Sequence, residues 1–307
     1  MAVYSLPELK QMLAIRGGDL TQDAALTQAL RAAQGAVESY TKRKFERATY
    51  TTYPRCEGLP DVALDHTPVR CYSLSGSVTS GAATVTGLSS TANLTVGMPA
   101  VHEDLPAGTT IATIASGTSV TLSANATAAI TAGTIVFGLE AWLDTGARFG
   151  DAAGAFASSS RLYLGLDYEL RRDADDGTSS NSGVLRRLGG GPALLPLWDG
   201  PSWAGYQPGR GSLTARRAPC WPYTHGGLKV VYTAGYSVTD TPADLRQAVH
   251  QLAVWVWMHT ARGGLVVGNE SKSNQAGSYS FALTALKSEP EVAEARGILR
   301  NYRRVVI

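Results

Sequence analysis

The chain is short of cysteine, charge and long apolar runs, and each shortage excludes something. Its three cysteines, Cys56, Cys71 and Cys220, are odd in number and show no CxxC spacing. That argues against a disulfide framework and a zinc site, suits a reducing cytosol, and makes buried thiols the expectation for all three. No apolar stretch approaches the roughly 20 residues of a membrane span, so no membrane partner is expected. The opening Met1-Ala2-Val3-Tyr4-Ser5-Leu6-Pro7-Glu8 lacks the basic start and apolar core of a signal peptide. Only 17% of residues are charged and the net charge is +2, too little to argue for a nucleic-acid binder.

Catalytic signatures are missing as well. There is no P-loop, GxGxxG, GxSxG or HExxH. Of the histidines His66, His102, His225, His250 and His259, the last two lie nine residues apart on one predicted helix, hence on opposite faces, and cannot share a metal. Asp173-Ala174-Asp175-Asp176-Gly177 begins like a calcium loop, but its glycine comes one residue early and Val184 stands where the bidentate Glu belongs. A solvated turn is the better reading. Glu103 and Asp104 are paired carboxylates in a predicted loop, with nothing basic expected nearby to bind an anionic substrate. No enzyme, cofactor or metal is expected.

What is present reads as α+β. Ser5-Leu6-Pro7-Glu8 has the form of a capping box, opening a short helix that ends at Gly17-Gly18. A second helix runs from near Thr21 to about Lys44, with Leu26, Leu30, Ala33, Val37 and Tyr40 forming a seam for another helix. Its basic end, Lys42-Arg43-Lys44-Phe45-Glu46-Arg47, is expected to complement the helix C-terminus. From Arg70 to Arg148 Lys and Arg then vanish, and "AATVTGLS", "GTTIATIASGTSVTLS" and "AGTIVFG" are short β runs between Gly and Ser turns. They predict a small all-β module of sandwich type at 73–138, inserted into a host of residues 1–72 and 139–307. "RLYLGLDYELRRDADDGTSSNSGVLRRL" predicts a hairpin with a long acidic tip, and the Gly/Pro/Trp-rich stretch 189–222 a long irregular loop.

"VVYTAGYSVTDTPADLRQAV" (230–249) then joins a strand to a helix. Gly235 permits the bend, Thr241 is read as N-cap, Pro242 as the first helical residue and Asp244 as a first-turn acid. The helix reaches about Arg262 and stops at Gly263-Gly264. Leu245, Ala248, Val249, Leu252 and Val256 form one buried stripe, while Val254, Trp255, Trp257 and Met258 cover most of the remaining circumference. A helix apolar nearly all round is either deep in a core or shared with a neighbouring subunit. A last helix follows Ser288-Glu289-Pro290-Glu291 to about Arg304, with a narrow stripe of Val292, Ala295, Leu299 and Tyr302. Arg296, Arg300, Arg303 and Arg304 lie beside that stripe and suit carboxylates on a partner. Val305-Val306-Ile307 is a β-prone tail able to extend a partner's sheet.

The order of these elements resembles the head–tail connector (adaptor, or head-completion) family of tailed bacteriophages. The likeness covers "SLPELKQMLAI", "DLTQDAALTQALRAAQGAVESYTKRKF", "TPVR", the hairpin, "LKVVYTAGY…TPADLRQAVHQLAVWVW", "GSYS" and "ILRNYRR". The insert, "LPAGTTIATIASGTSVTLSANATA", looks like a small β domain that recurs in phage virion proteins. The resemblance implies a virion protein assembled in the host bacterial cytoplasm. It implies a ring, typically of twelve copies, that sits on the portal and offers a platform to a tail, stopper or tail-terminator protein. Double-stranded DNA would pass through without specific binding. Val254, Trp255, Trp257 and Met258 would then be subunit interface. Arg296, Arg300, Tyr302, Arg303, Arg304, Val305, Val306 and Ile307 would dock on the portal. The insert and the 189–222 loop exceed the compact family pattern. Two rivals are a secreted or surface adhesin, using the β module and Trp198, Trp203 and Trp221 as glycan-stacking platforms, and an enzyme with 189–222 as a lid.

Overall fold

The computed structural model describes residues 5–144, 156–188, 220–224, 226–261 and 290–303. Among these residues, four α-helices and several small antiparallel sheets make the protein α+β. The chain divides into two compact units, one of residues 1–47 and 235–307, the other of residues 48–234.

The first unit holds α1 (Leu6–Met12), α2 (Asp23–Thr41), α3 (Ala243–Ala261) and α4 (Pro290–Arg300). Ser5 has the extended backbone of an N-cap, but its side chain makes no capping bond. Glu8 turns instead to Arg246, 3.0 Å away, so the S-x-x-E signal marks the start of α1 without forming a capping box. The helix also ends well before Gly17. Lys10 is buried, donates to the Asp19 carbonyl at 2.7 Å and pairs with Asp23. Asp19 accepts the Thr21 N–H and hydroxyl at 3.0 and 2.6 Å, which holds Thr21 in a turn and delays α2 to Asp23. Lys42 adopts the left-handed conformation and stops α2 at Thr41, three residues before the expected Lys44. Within the basic run that follows, Lys44 pairs with Glu38 at 2.7 Å and Arg47 with Asp240.

All four helices feed one hydrophobic cluster. Leu26, Leu30, Ala33 and Val37 of α2 and Leu245, Ala248, Val249, Leu252 and Val256 of α3 are buried in it, as their spacing requires. α3 begins at Ala243, one residue later than expected, and the Thr241 hydroxyl donates back to the Ser237 carbonyl at 2.6 Å. Gly235 has φ +99°, and a Cβ there would stand 2.5 Å from the Glu46 carbonyl oxygen. Beside it Tyr236 and residues 45–47 exchange backbone bonds at 2.8 and 2.9 Å. Only glycine lets the two segments approach so closely.

The second unit is built on an antiparallel sheet ordered 48–52, 228–234, 139–143 and 161–162, with 69–70 pairing the end of the 228–234 strand. Strand 228–234 alternates buried Leu228, Val230 and Tyr232 with half-buried Lys229 and Val231, the period of two that a one-sided core demands, and ends in Thr233 and Ala234, both buried. Residues 72–137 form two further three-stranded sheets and a hydrophobic cluster of their own, centred on Ile135, Phe137, Met98 and Ile111. Tyr72 pairs with Phe137 and Ser73 with Val136, so the two ends of this segment lie side by side. Gly138 follows at φ +97°, where a Cβ would meet the Arg70 carbonyl oxygen at 2.1 Å. The acidic hairpin starts at Tyr168 rather than Arg161, pairing Tyr168–Leu170 with Val184–Arg187. Arg161-Leu162 joins the main sheet instead. The 189–222 loop lies outside the described residues except for 220–222.

Candidate interaction surfaces

The α3 end places its four singled-out residues differently. Trp255 is buried with the helical cluster, Val254 and Trp257 are half-buried against it, and Met258 is 37% exposed. α3 is therefore covered by its own unit along one stripe and only partly covered at Val254, Trp257 and Met258. His250 on the same helix is buried beside Glu8 (3.9 Å) and Arg246. Burial pushes its imidazole below the usual range; the Glu8 charge opposes that and Arg246 adds to it.

On α4, Val292, Ala295 and Leu299 are fully buried in the helical cluster, so this part of the stripe is committed to its own core. Burying Leu299 alone contributes about 2 kcal/mol. Tyr302 belongs to the same packing: its ring meets Phe45 edge-on at 6.1 Å and its hydroxyl donates to Asp244 at 2.7 Å. The arginines face outward. Arg296 is half-buried, Arg300 and Arg303 are exposed, and none of the three pairs with a described carboxylate. The Arg296 and Arg303 guanidiniums both lie 5.9 Å from the centre of the Tyr40 ring on α2. Tyr40, read from sequence only as seam, is thus the platform of a basic patch. An aromatic two residues before Lys42-Arg43-Lys44 was the available signal. Arg304, Val305, Val306 and Ile307 lie outside the described residues.

The second unit contains a polar network that sequence reasoning missed. Glu140 and Arg161 are both buried, 3.7 Å apart, on paired strands of the main sheet. Arg161 donates to the Leu105 carbonyl at 2.9 Å and to that of His102, while both Glu140 oxygens accept the Gly108 N–H at 3.1 and 3.3 Å. The loop 102–108 is thereby held on the main sheet. Burial pushes the Glu140 carboxyl up to about 7, against the pull of the Gly108 N–H and the Arg161 charge. A lone Glu in the apolar strand Leu139–Leu143 was the clue. This also corrects the expectation that nothing basic lies near Glu103 and Asp104: Arg161 reaches their loop, although its donors go to carbonyls.

The remaining candidates resolve into structure. Asp173 accepts the Asn181 and Ser182 N–H groups at 2.7 and 3.2 Å, and Asp176 those of Ser179 and Thr178 at 2.7 and 2.9 Å, as in a self-satisfied turn. His102, Glu103 and Asp104 place ligand atoms within 4.8 Å of one another, but His102 Nδ1 already accepts the Asp104 N–H at 3.2 Å. Trp221 is fully buried and donates to the Leu185 carbonyl at 3.3 Å, which removes it as a stacking platform. Trp198 and Trp203 lie outside the described residues. His66 stacks on Tyr50 with ring centres 4.0 Å apart. No cysteine forms a disulfide; Cys56 and Cys71 are buried as expected, whereas Cys220 is exposed.

No protein-family model matches the sequence, and no significant relative is found among curated proteins. Three solved structures contain chains to which this one is similar. They are the neck of an empty gene transfer agent (GTA) particle with C6 symmetry (15% identity, TM-score 0.39, covering 98% of this chain and 89% of that one), the neck of the native GTA particle with C12 symmetry (14%, 0.37, 98% and 88%) and the virion of a native GTA particle (16%, 0.37, 98% and 89%).

Proposed function

We propose that the protein is a non-enzymatic structural component of a phage-type neck, a head–tail connector that closes into a ring of about twelve copies. The observation that carries this reading is the half-covered end of α3. Val254, Trp257 and Met258 are large and apolar, lie at one helix end and are left incompletely covered by their own unit. In a closed ring one side of α3 packs in its own core and the other meets the next subunit, as a heterologous interface requires. The order of sequence elements, resembling the connector family, supplies the place of that ring: on the portal, extending its channel and offering a platform to a tail, stopper or terminator protein. The near-neutral net charge of +2 suits a channel wall that DNA must slide past. The 73–138 segment is an inserted β module of sandwich type on this connector, and the basic outer side of α4, with the residues after it, is the portal-facing element. The protein would be assembled in the host cytoplasm and reside in the virion.

Negative-stain imaging of the purified protein, alone and mixed with the portal of the same particle, tests this reading. Discrete rings that stack on the portal are expected. A compact monomer indifferent to portal would favour the adhesin reading instead.

A further inference from the structure

We infer that Arg296, Arg300 and Arg303, the first and last of them held over Tyr40, form a receptor for an acidic polypeptide segment. The inference rests on the reading of α4 as a docking element and names what that element recognises. Arg296 and Arg300 are four residues apart, hence neighbours on one helix face, and Arg303 follows in the turn that closes the helix, its N–H bonded to the Arg300 carbonyl at 3.3 Å. Long side chains on a surface ordinarily lose binding energy to rotamer freedom. Here two of the three forks are held over one aromatic ring, which fixes their planes while leaving the N–H donors available.

No described carboxylate pairs with any of the three, so the cluster is not a structural ion-pair network. Several basic groups of the same unit are used: Lys10 on Asp23, Lys44 on Glu38, Arg47 on Asp240 and Arg246 on Glu8. Arg16, Arg31 and Lys42 also lack such a partner among the described residues, but the α4 arginines are set apart by gathering at one helix end, two of them over a shared ring. Each can grip a carboxylate through two parallel N–H bonds, and the spacing along α4 suits carboxylates a helical turn apart. Nucleic acid fits less well. The patch spans only about two helical turns (~10 Å), and 27 basic against 25 acidic residues give the molecule no broad positive field to hold a polyanion.

Fluorescence anisotropy on the full chain tests the inference with three labelled probes: a short poly-glutamate peptide, a poly-glutamine peptide of equal length and a short DNA duplex. Poly-glutamate should bind, poly-glutamine should not, and duplex should bind more weakly than poly-glutamate. Arg300→Gln, an exposed change that leaves the fold alone, should weaken poly-glutamate binding about tenfold. Tyr40→Leu should weaken it several-fold with all three charges kept. Equal binding of the two peptides, tighter binding of duplex, or an unchanged Arg300→Gln overturns the receptor. The docking reading is checked separately by sedimenting the same variant with portal. If Arg300→Gln loses poly-glutamate but still joins the portal, the receptor stands and its assignment to portal docking falls. If the wild type joins the portal but ignores poly-glutamate, the receptor falls alone.

Discussion

At Gly235 the molecule tolerates nothing larger than hydrogen, because φ is +99° and the Glu46 carbonyl oxygen stands where a Cβ would go. Gly235→Ala should therefore destabilise the protein by about 1–3 kcal/mol, read from the urea midpoint at unchanged m-value. The cysteines give an independent check of burial. Cys71 is enclosed and its thiol is pushed up to about 12 by that burial, whereas Cys220 is exposed. A thiol reagent at mild pH should label Cys220 quickly and reach Cys56 and Cys71 only on unfolding. His250 predicts a pH dependence. Its folded pKa lies below the ordinary 6.5, so the unfolded chain binds the extra proton first. Stability from this group is complete above about 6.5 and is lost as pH falls through the lowered folded value. Urea midpoints should drop between pH 7 and pH 5, and His250→Gln should flatten that slope.

Each element was legible where a single period governed it and illegible where distant groups decided. The stripes of α2 and α3, the Gly235 bend and the β runs of 73–138 follow from spacing and glycine alone, and they stand where expected. Helix ends did not, because Asp19, Glu8 and Lys42 settle them through local side-chain bonds and one left-handed residue. Nor was the depth of the narrow α4 stripe legible: Val292, Ala295 and Leu299 are fully buried in the cluster they share with α3. Leu299→Ala should accordingly cost about 2–4 kcal/mol, and truncation after Lys287 should lower the melting temperature markedly rather than leave a stable, dock-deficient protein. The Glu140–Arg161 pair was invisible because its partners come from strands and a loop far apart in sequence. Arg161→Met should destabilise by about 3–5 kcal/mol by stranding Glu140. Replacing 76–133 with a tight Asn-Gly turn between the register partners Ser75 and Thr134 should leave a folded chain. In that shortened chain the same Arg161 change should cost less, since water then reaches Glu140. Calorimetry on the four proteins reads both effects.

For the molecule as a whole, the account turns on one claim: the half-covered end of α3 is the contact by which copies close into a ring. The sequence pointed to it by an excess of apolar residues, and the structure narrows it to Val254, Trp257 and Met258 by enclosing Trp255. A charge at Trp257 would keep partial access to water in a free subunit but be buried in the ring, where it costs several kcal/mol. The direct measurement is the mass of wild type and Trp257→Glu by sedimentation under identical conditions, with circular dichroism to verify folding. The account predicts a large closed oligomer for the wild type, about twelve-fold the subunit mass, and a folded monomer for the variant. A wild type that stays monomeric, a variant that still assembles, or a variant that unfolds because Trp257 is simply core would contradict it.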